Sequence, residues 1–533
     1  MKATQKLVLI LVLILLISLS AKSATRPEEK VFRGFMIDAP RGVETIEYYF
    51  RLIDFCQVED FNSIIFRLTD DQGSAYLFTS HPELNMCDGA FSAIELKKIV
   101  DYAQSHGIEM IPEIESFGHS RYIIQTKRYK FLNDGPAGED FNALCPVNDS
   151  TLTLMKDLYN EVAAIFPSRY FHIGCDEVNW GASELSRKAL KTKSKPQIWA
   201  EYVNKLNGFI KTTGKKTIIW GDVPLYNENE VLDLLDKDIV IMDWNYWETN
   251  KVKIQSLAQT VLRKGFKLIG CPAVSWCAWG PRVGKKQFEN INAYAEVYGN
   301  IADSDNLGIF LSNWVPKRYL QGSQWDTYTI AAEILKNKGN YNFIDAVPQF
   351  VMNHFGVKYD ANWEKIFKEI YQGTPQWGCG QEDSLKFFCW RSEKEIKDIF
   401  SDKRHLINKF SEISSLLTTC KKNVKKNMHD FDDLLLTVDF IKYNYDRQND
   451  LFNFIHSKKT DIKSVETYLK KVSNEDQQML SRINLAWSIG RRTKPSKTDK
   501  DFMWSFNLAS AYSKHLSENP DEFMKLLDGL TEM

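Results

Sequence analysis

Between about residues 31 and 337, eight short apolar runs alternate with longer amphipathic ones. The runs are Phe32–Asp38, Ser63–Leu68, Glu109–Ile114, Tyr170–Gly174, Thr217–Trp220, Ile239–Met242, Lys267–Cys271 and Gly308–Leu311. Helical patterns such as Ala93–His106, Pro196–Thr212 and Tyr328–Lys336 lie between them. Strands buried on both faces read as near-continuous apolar stretches, and alternation with helices makes them parallel. Eight such units predict an α/β fold whose sheet closes into a (β/α)8 TIM barrel. A doubly wound open sheet is the competing arrangement. It normally carries a glycine-rich phosphate loop after its first strand, and Arg33-Gly34-Phe35-Met36-Ile37-Asp38 is not one.

A barrel collects functional residues just past the C-terminal ends of its strands. Arg33 and Asp38 bracket the first run, Asp70-Asp71 follows the second, and Glu115 with His119 follows the third. The fourth delivers Asp176-Glu177 and the fifth Trp220-Gly221-Asp222. Asp243-Trp244-Asn245-Tyr246-Trp247 follows the sixth, Trp276 and Trp279 the seventh, and Asn313-Trp314 the eighth. Core packing explains any one of these, but not the ring.

The sharpest stretch is Phe171–Val178, an apolar run ending in two adjacent carboxylates. Such neighbours repel when both ionise, so one tends to hold a proton. Separated pKa values are what acid–base chemistry uses, although a helix N-terminus also suits two acids for no functional reason. Pyranose rings stack their C–H faces on indole, and charged side chains bind their hydroxyl pairs. Trp220, Trp244, Trp276, Trp279 and Trp314 are therefore candidates for a sugar box, with Arg33 and Asp70 fixing hydroxyls.

The whole chain of 533 residues is longer than one core usually holds, so a second unit is expected. Past residue 340, Phe431, Leu434, Val438, Ile441 and Tyr445 mark one helical apolar face, and Val465, Tyr468, Leu469 and Val472 another. Residues 31–340 are read as the barrel and 341–533 as an all-α helical region for packing and interaction. Lys2, Lys6, the aliphatic run Leu7–Ile17 and Ala21-Lys22-Ser23 make residues 1–23 a secretory signal, with cleavage before Ala24. An uncleaved anchor is the alternative; with cleavage, the mature protein is exported. A net charge of −1 suggests neither nucleic acid nor an anionic membrane as partner. Nine Cys leave at least one unpaired; Cys56, Cys175 and Cys271 sit in apolar runs, and Cys379–Cys389 is the best disulfide candidate. No Cys/His spacing resembles a zinc site, and no metal or cofactor is expected.

Four motifs in chain order carry a family resemblance. Arg33-Gly34-Phe35-Met36-Ile37-Asp38-Ala39-Pro40-Arg41 resembles the opening strand of family 20 glycoside hydrolases, the β-N-acetylhexosaminidases. Leu68-Thr69-Asp70-Asp71, Pro112-Glu113 with Gly118-His119, and His172-Ile173-Gly174-Cys175-Asp176-Glu177 resemble its later motifs. The Cys before the Asp-Glu pair is similar to the single-barrel, hexosaminidase D-like group. The resemblance implies exo-removal of a terminal GlcNAc or GalNAc from a glycan, with the substrate's own acetamido oxygen as nucleophile. It implies Glu177 as general acid and base, and Asp176 as the ionised partner of the acetamido N–H. Arg33 would bind hydroxyls 3 and 4, Asp70 and His119 would orient, and Trp220 and Trp314 would wall the sugar. The family commonly has a Tyr beyond strand seven; Ser275-Trp276-Cys277-Ala278-Trp279 has none, and Tyr246 is the expected substitute. The carboxylate often found after the strand-eight Trp is also absent from Trp314-Val315-Pro316. Two rival readings are an exported sugar-binding barrel without catalysis, and a retaining glycosidase for sugars lacking the acetamido group. The presence of both carboxylates favours an enzyme.

Overall fold

Closure of the sheet is visible in the pairing of its first and last strands. The computed structural model describes residues 31–137, 143–227, 230–275, 282, 284–373, 401–457, 461–494 and 502–531. Its parallel strands are β1 (Phe32–Asp38), β2 (Ser63–Arg67), β3 (Glu109–Glu113), β4 (Tyr170–His172), β5 (Lys216–Trp220), β6 (Val240–Asp243), β7 (Lys267–Gly270) and β8 (Asn306–Asn313). Each pairs with the next, and β1 returns to β8 in a register running from Phe32 opposite Gly308 to Ile37 opposite Asn313. The fold is an eight-stranded TIM barrel, not an open sheet, because no edge remains between β1 and β8.

The strands form where the apolar runs predict them, since side chains on both faces are buried: all of β2, and all of β1 except Arg33. Helices start on strong caps. Ser92 and Glu95 form a reciprocal capping box before Ala93–Ser105, as do Ser194 and Gln197 before Lys195–Thr212. The difference from expectation lies at the strand ends. β4 stops at His172 rather than Gly174, because Gly174 and Cys175 turn into left-handed backbone at φ 67° and 77°. After β2 the chain makes a small sheet of its own from Thr69–Asp70, Gly73–Tyr76 and Met86–Phe91. Ala273–Ser275 adds a further strand beside β8.

Beyond the barrel the chain is helical, with long helices at Arg404–Lys421, Met428–His456 and Ile462–Gly490. Both predicted apolar faces are buried in this region. One continuous hydrophobic cluster runs from the barrel into the helices as far as Tyr445, Ile483 and Phe506. A smaller one joins Val465, Tyr468, Leu469 and Val472 to Leu516, Phe523 and Leu527. Cys56, Cys175 and Cys271 are free and buried. Among the described residues, no helix is long and apolar enough to cross a membrane. The signal segment, Trp276, Trp279 and the Cys379–Cys389 pair lie outside the described residues.

Candidate active site

The Asp176-Glu177 pair is presented by a strained turn. Glu177 is held at φ 42° and Cys175 at 77°, while His119, in the loop after β3, is held at 44°. Left-handed backbone at a residue other than glycine costs about 1–3 kcal/mol, so the surroundings must hold it. They do so with buried carboxylates. Glu115 Oε2 accepts from Cys175 N–H at 3.3 Å, and Asp222 Oδ2 accepts from Glu177 N–H at 2.9 Å. Two glycines permit the close approach. A Cβ on Gly174, itself at φ 67°, would lie 2.0 Å from Glu115 Oε2, and one on Gly118 would lie 2.2 Å from Asp176 O. The loops after β3 and β4 are thereby locked to each other.

His119 stands between the carboxylates. Its Nδ1 donates to Asp71 Oδ2 at 3.0 Å, while Nε2 lies 3.3 Å from Glu177 Oε2 and 3.7 Å from Asp176 Oδ2. The result is a chain of contacts, Asp71–His119–Glu177, with Asp176 beside it. Their exposures divide the roles: the Glu177 side chain is 45% exposed and that of Asp176 only 7%. Asp176 Oδ1 is a buried acceptor with no hydrogen-bond partner among the described residues.

A second cluster sits at the ends of β1 and β2. Arg67 is fully buried and pairs with Glu115 (2.7 Å), Asp70 (3.0 Å), Asp38 (3.3 Å) and Glu113 (3.5 Å). Arg41 pairs with Asp70 at 2.7 Å, and both guanidinium groups lie over the Trp314 ring, at 5.4 Å for Arg41 and 5.0 Å for Arg67. Trp220 has no exposed surface; its indole N–H donates to Glu113 at 2.8 Å, and its ring centre is 5.7 Å from that of Trp314. It is a floor beneath Trp314. Tyr246 accepts from the Trp314 indole N–H at 2.7 Å and lies against Trp244, with ring centres 5.1 Å apart. Asp70, His119, Trp220, Trp244, Tyr246 and Trp314 thus gather around the Asp176-Glu177 pair or the wall beside it.

Arg33 does not join them. It opens β1 at the opposite, N-terminal end of the barrel, is exposed, and binds Asp60 through a 2.8 Å hydrogen bond to the carbonyl and a 3.6 Å ion pair. A seven-residue strand separates the two ends, so the arginine at its start points away from the mouth that Arg41 reaches. The arginine expected at the site is corrected to Arg41, which lies past the end of the same strand. Arg67 was concealed because it closes an otherwise apolar run.

Electrostatics follow from burial. The imidazole of His119 would be disfavoured as a cation by desolvation alone, but Asp176, Asp71 and Glu177 together push it well above its usual range. The Glu177 carboxyl is held low, first by its hydrogen bond to His119. Asp176 is pushed well up by burial and then by Glu115. Burial likewise raises Glu113, Glu115 and Asp222 to about 7. In the free site burial thus favours the neutral form of Asp176, while the hydrogen bond from His119 favours the anion of Glu177. Sequence reasoning expects the opposite order for Asp176 and Glu177; desolvation of the inner carboxyl is the reason for the difference.

His119, Asp176 and Glu177 each offer one donor atom, all within 4.8 Å of one another. A divalent ion there would occupy the atoms that proton transfer needs.

Residues 31–301 match the catalytic domain of glycosyl hydrolase family 20. The chain belongs to that family. The β-hexosaminidase 1 of Coccidioides posadasii is 26% identical over 280 residues, which is 47% of this chain and 46% of that protein. The β-hexosaminidase of Vibrio furnissii is 27% identical over 254 residues, 40% of this chain and 39% of that one. A lacto-N-biosidase of Bifidobacterium bifidum is 30% identical over 225 residues, 40% of this chain and 18% of that one. The chain thus spans less than half the length of these relatives. In fold it is similar to a solved β-N-acetylhexosaminidase, at a TM-score of 0.51 and 17% identity, covering 62% of this chain and 78% of that one. It is also similar to an inactive mutant of a family 20 exo-β-N-acetylglucosaminidase from Vibrio harveyi, at a TM-score of 0.50 and 18% identity over 61% and 57% of the two chains.

For this family 20 chain the position of the two arginines gives a direct expectation. Arg41→Ala should lower kcat/KM on an aryl N-acetylhexosaminide by about 10²-fold, the loss typical of a charged hydrogen-bonding group removed from a desolvated site. Arg33→Ala, on the far side of the barrel, should stay within about twofold of wild type, as for most surface substitutions. Steady-state kinetics of both variants check the assignment, and a loss confined to Arg33→Ala would reverse it.

Proposed function

We propose that this family 20 glycoside hydrolase is an exo-acting β-N-acetylhexosaminidase that removes terminal GlcNAc or GalNAc from a glycan with retention, using the substrate's acetamido oxygen as nucleophile. The observation that carries this reading is the pairing of one exposed carboxyl, Glu177, with one buried carboxyl, Asp176, across a single histidine. The unpartnered Asp176 Oδ1 is the acceptor that an acetamido N–H would satisfy. An oxazolinium ion forming against it would place positive charge beside a desolvated carboxylate, where such stabilisation is strongest.

Substrate binding also moves the protons in the required direction. A sugar covering Glu177 excludes water from it and raises its pKa, while a hydrogen bond donated to Asp176 favours the anion there. The proton that Glu177 then gives to the leaving oxygen is stored 3.3 Å away on His119 Nε2. Asp71 holds the ring in position through Nδ1. In the second step Glu177 takes a proton from the water that opens the oxazolinium ring at C1. Arg41 with Asp70 would bind ring hydroxyls, and Trp314 over Trp220 would face the sugar ring. Tyr246 orients Trp314.

Within the family, the Cys175-Asp176-Glu177 form supports placement near the hexosaminidase D-like group. The basic, aliphatic and small-residue pattern of residues 1–23 supports an exported protein. The mechanism needs no bound ion. Activity should survive exhaustive dialysis against a chelator, and a thiazoline mimic of the bicyclic intermediate should inhibit more tightly than substrate binds. Activity lost to the chelator and restored by a divalent metal would overturn the mechanism.

A further inference from the structure

We infer that Gly490–Lys494, the segment leaving the long helix Ile462–Gly490, is a strap from the helical region that positions the sugar-binding walls of the barrel, with Arg491 as its positioning residue. The inference rests on the proposed function for its kinetic readout only; the contacts stand independently of it.

The segment joins three strand-end loops at once. Along the loop after β1, Val43 O accepts from Arg492 N–H (2.9 Å) and Thr493 N–H (3.1 Å), and Gly490 O accepts from Thr45 N–H (2.9 Å). Val43 N–H donates back to Thr493 Oγ1 at 2.8 Å. Arg491 reaches sideways to the loop after β8. Its Nη2 donates to the carbonyls of Pro316 and, at 2.7 Å, Tyr319, while Nε donates to Glu44 at 3.1 Å. The third loop is the excursion after β2, where Lys494 N–H donates to Asp88 Oδ2 at 2.7 Å, and just beyond it Arg492 pairs at 3.0 Å with Glu95 in the first turn of the helix Ala93–Ser105. These loops carry Arg41, Trp314 and Asp70, the residues placed on the sugar's side of the site.

Burial makes the strap specific. The Arg491 side chain is 1% exposed and its guanidinium lies 3.8 Å from the Trp487 ring centre. Glu44 is raised by burial to about 7, and Arg491 opposes that rise. A buried arginine shared between a carboxylate and two carbonyls fixes geometry, because losing it leaves those acceptors unpaired in a dry site. What it fixes includes a strained residue. Val315, directly after Trp314, is a β-branched residue at φ 51°, and its N–H donates to Asp38 Oδ2 at 2.9 Å. The carbonyl that Arg491 holds, on Pro316, belongs to the next residue. Removing the clamp lets Val315 relax and Trp314 drift from Arg41.

The test uses the full chain and four variants: Arg491→Ala, Arg491→Lys, Glu44→Gln, and Arg482→Ala as a control on the exposed Arg482–Asp439 pair elsewhere on the same helix. Kinetics on an aryl N-acetylhexosaminide are normalised to active sites titrated with the thiazoline, and thermal unfolding is followed in parallel. Arg491→Ala should lower kcat/KM about 10²-fold per active site, the cost of an ångström-scale misplacement, with hydrogen exchange accelerated in residues 39–45 and 314–320. Arg491→Lys and Glu44→Gln, which keep part of the network, should recover part of that loss, and the control should match wild type. A lowered Tm with kcat/KM per active site within about twofold of wild type, and unchanged exchange in those loops, would overturn the inference. If Arg491→Ala fails to fold, Arg491→Lys and Glu44→Gln decide it by the same criteria. A wild-type protein inactive on acetamido sugars would refute the proposed function instead, and the exchange readout would still decide the strap.

Discussion

Glu177→Gln should reduce turnover of a natural disaccharide by about 10²–10⁴-fold, the range that a positioned general acid and base supplies. Glutamine keeps the shape and can still accept from His119 Nε2, now 3.3 Å from the carboxylate, but it can deliver no proton to the leaving oxygen. An aryl glycoside whose phenolate leaves unaided should lose far less in its first step. The contrast between the two substrates, measured side by side, assigns the role. Equal losses on both would move the defect from acid catalysis to binding, and wild-type rates on the disaccharide would remove Glu177 from the mechanism.

Asp176→Asn should cost about 10²–10³-fold in kcat, as removal of an electrostatic stabiliser from a water-excluded site does elsewhere. The side chain is 7% exposed, so the loss of charge is felt in low dielectric. The pH profile provides a second reading of the same residue. Burial and Glu115 raise the Asp176 carboxyl, so the anion that the proposed mechanism requires is lost as pH falls through a value above the ordinary carboxylate range. The acidic limb of kcat/KM should lie correspondingly high in wild type and vanish or shift in Asp176→Asn. A variant with intact kcat and only a raised KM would contradict a role in the transition state.

The barrel was legible because its strands are buried on both faces, which leaves uninterrupted apolar runs such as Ser63-Ile64-Ile65-Phe66 with little competing periodicity. The helical region was legible for the complementary reason: Phe431, Leu434, Val438 and Ile441 recur at helical spacing and are all buried. Of the site, the residues at the C-terminal strand ends could be read from chain order alone. Arg41 could have been preferred to Arg33 on the same rule, since it follows β1 while Arg33 begins it. Arg67 is different. A charge at the end of an apolar strand carries no local sign that Asp38, Glu113 and Glu115 from the neighbouring strands and their ends will surround it together with Asp70. The left-handed turns at Cys175 and Glu177 are likewise held by contacts with Glu115 and Asp222, not by local preference. Glu44 and Arg491 meet across 447 positions of sequence, and no pattern in either neighbourhood announces it.

The proposed mechanism gives the nucleophile's work to the substrate's own acetamido group. It is tested most directly by comparing kcat/KM on two aryl β-glycosides that differ only at C2, one bearing acetamido and the other hydroxyl. Intramolecular attack carries effective molarities of about 10⁵–10⁸ M, so the hydroxyl compound should react at least about 10³-fold more slowly. Comparable rates on the two sugars would contradict the account and point to a protein nucleophile, and turnover of neither would leave a barrel that binds sugars without cleaving them.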